Sequence, residues 1–323
     1  MDFDITMKDV MLRPGVSVDV HLKVYVNEPH PCYGKIVFAV HGLAHTSATW
    51  EPFAEEVFKE NPTGRKVCQI VAVDLPSRGG TTLPTGMLFG DLTLGDHVTV
   101  LQTVLKRLPA IGIRPDAILG HSQGGLLIQM TQQALRDMGT DLRQAFNVKN
   151  VVLLAPVGPR ELPWYFADSG TAAAVIGGFV AFDPALGLHI SIPDAVWPYV
   201  FFTNFSGMLV PGAPTPAEVA AKGYNAPEPL FASLELAGLP PFTRPSVDPG
   251  IFTLDSGAVL QVVGYQNDVF VLVPEAMMLY QYLTGDSTNA GFVAVPGDYA
   301  VHDTHVSAPR TLLDAIAGTI ELP

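Results

Sequence analysis

A serine lies at the centre of segment 120–124, which reads Gly-His-Ser-Gln-Gly and has the spacing Gly-x-Ser-x-Gly. A short strand pattern, 116–119, precedes it, and a helical pattern, 125–138, follows it. Glycines two residues before and two after the serine leave room for a sharp turn that holds the hydroxyl above the end of a strand. The segment therefore predicts a strand–turn–helix elbow with Ser122 as nucleophile. The alternative is an ordinary turn with an incidental serine.

A serine hydroxyl becomes a good nucleophile only when a base removes its proton. His302 and His305 both follow the strand pattern 292–295 and precede the last helical pattern, 309–320. Because α/β sheets bind ligands at the carboxyl ends of their strands, both histidines are candidate bases. We favour His302 and keep His305 as the alternative. The histidine that is not the base would be a surface or supporting residue.

An imidazole base needs a partner that fixes its tautomer and stabilises its charged form. Asp268 follows the strand pattern 258–263 and is the only acidic residue between Asp255 and Glu275. The resulting chain order, serine then aspartate then histidine, is that of one large fold class. The sequence therefore predicts Asp268 as the acid. An aspartate that caps the following helix is the alternative.

The negative charge that develops on a carbonyl oxygen during acyl transfer needs two N–H donors. The backbone N–H of Gln123, directly after the serine, is one candidate. Leu43 is the other, because it lies in the loop after the strand pattern 35–40, where Gly42 allows a sharp turn. The side chain of Leu43 would then form a wall of the pocket.

Several histidines raise the question of a metal site. His41 and His45 lie at the two ends of the same loop, and His302, Asp303 and His305 lie near the end of the chain. The carboxylate-rich clusters that metallohydrolases use are missing from the sequence. We therefore expect no metal and no cofactor, and we interpret His45 as a loop histidine near the pocket.

The elements that must position these groups alternate along the chain. Uninterrupted apolar strand patterns separated by helical patterns are typical of a mostly parallel sheet covered by helices on both faces. The predicted strands are 18–26, 35–40, 69–73, 116–119, 151–154, 258–263 and 292–295, and the predicted helices are 49–60, 92–108, 125–138, 274–283 and 309–320.

Segment 158–250 interrupts the alternation with many Pro and Gly residues and without a strand rhythm. It holds almost half of the aromatic residues of the chain. Some aromatic side chains would pack this segment on the core, and others would line an apolar pocket. The predicted lining residues are Trp164, Trp197, Phe201 and Phe202.

Four pieces of the chain together resemble the α/β-hydrolase superfamily, of the type with a serine nucleophile and an inserted cap domain. The resemblance implies a core formed by residues 1–157 and 251–323, and a mainly helical cap, 158–250, inserted after the sixth core strand. The four pieces are His41-Gly42 with Trp50-Glu51-Pro52-Phe53, Val73-Asp74-Leu75-Pro76-Ser77-Arg78-Gly79-Gly80, the elbow 120–125, and the residues Gly264, Asp268 and His302.

The predicted function is a hydrolase of the carboxylic ester type, which cleaves an ester, lactone or amide bond of a hydrophobic small molecule through an acyl-enzyme. Three alternatives remain open. A carbon–carbon bond hydrolase or a lyase would use the same three residues on a different substrate. A ligand receptor on this fold would turn over slowly or not at all. A metallohydrolase is the weakest alternative.

Composition excludes other classes of protein. The chain has 323 residues, of which 15% are charged, and a net charge of −13, without a run of Lys or Arg that could neutralise phosphates. We therefore expect no nucleic-acid partner. Of two uncharged stretches, 169–182 is too short to span a membrane and 195–217 is interrupted by prolines, so no span is expected.

The beginning of the chain, Met-Asp-Phe-Asp, lacks a basic region followed by an apolar run, so we expect no secretory signal and a cytoplasmic location. Cys32 and Cys68 are too few for a disulfide scaffold. We expect buried free thiols, with pairing of the two as the alternative. The sequence leaves the oligomeric state open.

Overall fold

The computed structural model describes residues 2–27, 34–60, 66–76, 78–84, 86–184, 186–253 and 258–320. Within these residues the strands are β1 (Asp2–Arg13), β2 (Val16–Val26), β3 (Lys35–Val40), β4 (Val67–Val73), β5 (Ala117–His121), β6 (Asn150–Leu154), β7 (Val180–Asp183), β8 (Gly187–Ile190), β9 (Glu228–Pro229), β10 (Val259–Tyr265) and β11 (Phe292–Val295).

Eight strands form the main sheet in the order β1-β2-β4-β3-β5-β6-β10-β11. The pairs from β4 to β11 are parallel, whereas β1 and β2 pair antiparallel at one edge. Strands β5 and β6 are buried almost throughout, as expected for central strands covered on both faces. The predicted mostly parallel sheet is confirmed.

Helices connect the parallel strands and cover the sheet. Helices α1 and α12 contact each other, α2 and α3 contact each other, and both pairs touch strands of the sheet. The helices are α1 (Glu51–Glu60), α2 (Leu94–Arg107), α3 (Gln123–Asp137), α4 (Leu142–Phe146), α5 (Tyr165–Asp168), α6 (Thr171–Phe179), α7 (Trp197–Phe201), α8 (Pro216–Lys222), α9 (Leu230–Ala237), α10 (Val273–Thr284), α11 (Thr304–Ser307) and α12 (Pro309–Ile320), with 3-10 turns at Ser47–Trp50, Phe89–Asp91 and Leu108–Ile111.

Strand β1 was not among the strands predicted from the sequence. Its register against β2 shifts between Met7 and Val10, where Asp9 has a φ of 52°. Such a bulge changes which residues face the core, so the buried residues Met7 and Val10 are three positions apart rather than two. The alternation that identifies a half-buried strand is therefore lost from the sequence.

The inserted segment, by which we mean residues 158–250, lies between β6 and β10 in the chain. It contains α5 to α9 and a separate three-stranded antiparallel sheet, β7-β8-β9. Among the described residues of this segment, helices account for 33 and strands for 10, so its regular structure is mainly helical, as expected. The small sheet was not predicted. Its strands have only two to four residues each, too few to produce a visible alternation.

Two further expectations concern the membrane and the cysteines. Within the described ranges, no helix is both long enough and apolar enough to cross a membrane. Cys68 is buried in β4 and belongs to a disulfide, so the expectation of a free thiol is wrong for this residue. Cys32 lies outside the described residues.

Candidate active site

Ser122 lies at the turn between β5, which ends at His121, and α3, which begins at Gln123. Its backbone has φ 52° and ψ −117°, a conformation that a non-glycine residue keeps only at a cost of about 1–3 kcal/mol. The Ser122 N–H donates to the carbonyl of Leu154 at 2.9 Å, and its carbonyl accepts from the Gly125 N–H at 3.0 Å. Hydrogen bonds on both sides therefore hold this strained residue in place.

The two glycines of the elbow are required by close packing. A Cβ on Gly120 would lie 2.4 Å from the Cδ1 of Ile128 and 2.8 Å from the carbonyl oxygen of Gly124. A Cβ on Gly124 would lie 2.5 Å from the carbonyl oxygen of Val40. Distances this short do not occur in real proteins, so the sharp turn expected from the spacing needs both glycines.

Asp268 and His302 form a buried pair. The Nδ1 of His302 lies 2.8 Å from Oδ2 of Asp268, and both side chains are almost fully inaccessible to solvent. The other carboxylate oxygen of Asp268 accepts the N–H groups of Phe270 at 2.7 Å and Val271 at 3.0 Å. These bonds fix the carboxylate, which in turn occupies Nδ1 and leaves Nε2 as the ring nitrogen for a reacting hydroxyl.

The electrostatics of His302 also differ from those of His305. Burial disfavours the charged form of His302, but the charge and hydrogen bond of Asp268 and the charge of Asp303 outweigh burial and raise the pKa of His302 above its usual value. His305 packs against the rings of Trp50 and His121, and burial lowers its pKa to about 3. Of the two candidate bases, the structure brings His302 to Asp268 and packs His305 in the interior.

Ser122 and His302 line the same cavity of about 50 Å³. Leu43, Trp164 and Phe201, three of the residues predicted to bind substrate, also line it. The remaining lining is mostly apolar and comes largely from the inserted segment: Val157, Phe166, Ala172, Val175, Ile176, Ile192, Val200, Ser233, Leu236, Ala237 and Phe270.

Trp197 and Phe202, the other two residues predicted to bind substrate, do not line this cavity. Trp197 is fully buried, donates its indole N–H to the carbonyl of Ala44 at 3.0 Å, and packs on His45. Phe202 is also fully buried and packs against Trp197. This part of the prediction is therefore corrected. Trp197 attaches the inserted segment to the loop after β3, and Phe202 packs against Trp197; neither residue is among those that line the cavity.

The two residues expected to stabilise the oxyanion flank Ser122. Gln123 is the first residue of α3, and Leu43 lies in the loop after β3 with its side chain against the cavity. The direction of their N–H groups toward a substrate oxygen stays a prediction.

Sequence reasoning missed a buried ion pair beside these two residues. The Arg78 guanidinium and the Glu228 carboxylate bond directly, with both side chains fully inaccessible to solvent. The Gln123 side chain joins them, since its oxygen accepts from Arg78 at 3.1 Å and its amide group donates to Glu228 at 3.0 Å. No sequence spacing could indicate this pair, because 150 residues separate its members.

A second buried polar group, formed by His45, His121 and Asp303, contacts the backbone of His302. Asp303 Oδ2 lies 2.7 Å from His45 Nε2, and Asp303 Oδ1 lies 3.1 Å from His121 Nε2. Burial opposes ionisation of Asp303, but His45 outweighs it and holds the pKa of this carboxyl below its usual value. The Nε2 of His121 also donates to the carbonyl of His302 at 3.0 Å. This group therefore supports the backbone of the candidate base.

His45, His121 and Asp303 also have the side-chain types that bind metal ions, and they are the group of this kind within the described ranges. Their donor atoms all lie within 4.8 Å of one another and are buried. His41, the other histidine of the loop after β3, does not belong to this group, and its Nε2 accepts the N–H of Leu75 at 3.2 Å.

Comparison with known proteins gives a consistent result for the fold. Matches among solved structures include an E-2-(acetamidomethylene)succinate hydrolase, with 18% identity and a TM-score of 0.59 over 99% of this chain and 100% of that one. A thermophilic esterase from Thermogutta terrifontis has 16% identity and a TM-score of 0.58 over 99% and 98%. An N-acyl homoserine lactonase has 14% identity and a TM-score of 0.60 over 100% and 99%. Identities this low establish similarity of fold alone.

Comparison with curated protein sequences finds no match. The sequence profile described as the alpha/beta hydrolase family matches residues 36–315, which is most of the chain. This match includes Ser122, Asp268 and His302, and it agrees with the sheet order and the elbow described above. The chain therefore belongs to the alpha/beta hydrolase family.

Proposed function

We propose that this hydrolase cleaves an ester, lactone or amide bond of a hydrophobic small molecule through an acyl-enzyme on Ser122. The observation that carries the proposal is the buried Asp268–His302 pair at 2.8 Å, whose imidazole shares one apolar cavity with the strained Ser122. A nucleophile, a base and a group that orients the base are the minimum that this chemistry requires.

In the first half of the reaction, His302 Nε2 takes the proton of Ser122 while Oγ attacks the substrate carbonyl carbon. The carbonyl electrons move to oxygen, and the N–H groups of Leu43 and Gln123 stabilise the resulting oxyanion. When the tetrahedral intermediate collapses, the bond to the leaving group breaks and His302 returns the proton to that group.

In the second half, His302 takes a proton from water, and the hydroxide attacks the acyl carbon. Collapse of the second intermediate releases the acid and returns the proton to Ser122. The positive charge that His302 carries in each transition state lies next to Asp268, which accounts for the need for a buried carboxylate at Nδ1.

The cavity supports an uncharged substrate with a small acyl group. Its lining has few polar side chains, and one of them, Ser233, already donates its hydroxyl to the carbonyl of Pro229 at 2.9 Å. A volume of about 50 Å³ holds only a few non-hydrogen atoms, since one water needs about 10–15 Å³. The inserted segment, which provides most of the lining, would act as the cap that selects this substrate.

A panel of p-nitrophenyl esters of increasing chain length, together with lactones and aryl amides, tests the proposal. We expect the highest kcat/KM for short acyl chains, covalent labelling of Ser122 by a fluorophosphonate, and loss of both in Ser122→Ala. The fold of the variant is checked by its melting temperature. Unchanged esterase activity in Ser122→Ala would overturn the assignment. Turnover without incorporation of solvent oxygen into product would instead indicate a lyase.

A further inference from the structure

The buried pair of Arg78 and Glu228 joins two parts of the molecule. Arg78 lies in the core, after β4, whereas Glu228 begins β9 in the inserted segment. Transfer of two charges into the interior costs several kcal/mol for each ion, and their attraction repays this only when the remaining donors and acceptors are bonded as well. The partners of these charges therefore indicate what the pair holds in place.

The partners are the backbone groups on both sides of Leu43. Arg78 donates to the carbonyl of Gly42 at 3.1 Å, and Glu228 accepts the N–H of Ala44 at 3.0 Å. The backbone is therefore held on both sides of Leu43, at the carbonyl of Gly42 and at the N–H of Ala44. Leu43 is the first of the two residues whose N–H groups would bind the oxyanion.

The second oxyanion residue is held by the same pair. Gln123 uses both ends of its side-chain amide, one for Arg78 and one for Glu228. Its backbone N–H begins α3, directly after Ser122. One ion pair thus contacts both segments that supply the proposed oxyanion donors, although these segments are about 80 residues apart in the chain.

We propose that Arg78 and Glu228 are positioning residues that hold the Leu43 and Gln123 N–H groups in the geometry of the oxyanion hole, so that the inserted segment supplies a part of the catalytic apparatus as well as the pocket wall. This inference rests on the proposed function. Because such donors act mainly on the charge that develops in the transition state, their displacement lowers kcat more than it raises KM.

The principal test is the double variant Arg78→Met/Glu228→Leu. It removes both charges together, because a single substitution would leave an unpaired buried charge and could prevent folding, whereas apolar replacement of a whole buried pair is often tolerated. We expect a folded protein whose kcat falls about 10- to 100-fold, which is below the loss for complete removal of an oxyanion donor. KM should change by less than about threefold.

Glu228→Gln is the single-residue companion, since an amide keeps the shape and an acceptor for the Ala44 N–H. It leaves the Arg78 charge unpaired, so its melting temperature is measured first to show that the variant is folded. We expect it to lose less kcat than the double variant. Lys222→Met is the matched control. Lys222 also connects the inserted segment to the core, through Glu51 at 2.6 Å, but this pair is partly exposed and lies outside the oxyanion segments. It should retain the kcat of the wild type.

The second measurement is binding of a trifluoromethyl ketone, which forms a tetrahedral oxyanion with the active serine. Its affinity should fall by the same factor as kcat/KM in the double variant, and a merely structural role would not produce this proportionality.

A folded double variant with wild-type kcat and ketone affinity would overturn the inference. So would an equal loss in Lys222→Met, because attachment of the segment in general would then explain the effect. A wild type that neither turns over esters nor is labelled at Ser122 would refute the proposed function itself.

Discussion

His302 and Asp268 are 34 residues apart in the chain, yet Nδ1 of the imidazole and Oδ2 of the carboxylate are 2.8 Å apart in the interior. They meet because β10 and β11 are parallel neighbours and the residues that follow them leave the sheet at the same edge. The loop that follows β6 leaves at this edge as well, and so does the elbow at Ser122. The sheet order therefore brings together groups from three distant parts of the sequence.

The Asp268→Asn variant tests the role of this carboxylate. An asparagine keeps the size of the side chain, but it neither stabilises the charged imidazole nor fixes the required tautomer. We expect kcat to fall about 10³- to 10⁴-fold, as for the corresponding change in other serine–histidine–aspartate sites. Asp141→Asn is a matched control, because Asp141 is also buried and accepts a backbone N–H, that of Gln144 at 2.8 Å, at the start of α4. Near-normal rates in Asp268→Asn would mean that another acid serves the base.

The pH dependence of kcat/KM follows from the raised pKa of His302. Only the neutral imidazole accepts the serine proton, so activity must fall as the pH decreases through this pKa. Because Asp268 and Asp303 raise it, we expect the acid limb of the profile above about pH 6.5. The Asp268→Asn variant should move this limb to lower pH. A wild-type limb well below pH 6.5 would show that burial outweighs the two carboxylates.

Much of the fold could be predicted from the sequence, because central strands and their helices have strong local patterns. The apolar runs of β3, β5 and β6 need no knowledge of their neighbours, and the elbow is defined by five consecutive residues. The bulged edge strand β1 and the very short strands of the inserted segment lack such patterns. Only pairing in three dimensions makes them strands.

The candidate site also has one part that could be predicted from the sequence and one part that could not. Ser122, Asp268 and His302 could be proposed because each lies in the segment between a predicted core strand and the helix that follows it. The lining could not be predicted, since Trp164 faces the cavity and Trp197 faces Ala44, and nothing near either residue in the sequence distinguishes them. The Arg78–Glu228 pair could not be predicted either, because the two residues are 150 positions apart and meet only in the folded chain.

Removal of metal ions should leave activity unchanged. Asp303 Oδ2 already bonds to His45 Nε2 at 2.7 Å, and His121 Nε2 donates to the carbonyl of His302 at 3.0 Å, so these side chains have hydrogen-bond partners within the protein. We expect full esterase activity after prolonged dialysis against 1,10-phenanthroline, and no further change in activity when Zn²⁺ is added. Loss of activity that Zn²⁺ restores would instead favour a metal-dependent hydrolase.

The size of the cavity should set the preferred acyl chain, and Leu236→Ala tests this relation. Leu236 lies in α9 and lines the cavity, so its truncation enlarges the cavity that Ser122 and His302 also line. We expect the chain-length optimum to move toward longer esters, with a loss of stability of about 2–5 kcal/mol.

Ile190→Ala is the control for this change. Ile190 is equally buried in the inserted segment, in β8, but it is not among the residues that line the cavity. It should lose a similar amount of stability and keep the chain-length optimum of the wild type, because it is not a lining residue of the cavity. A panel of p-nitrophenyl esters and thermal unfolding measure the two effects separately. If both variants changed chain-length preference alike, general loosening of the inserted segment rather than the local cavity would determine substrate size.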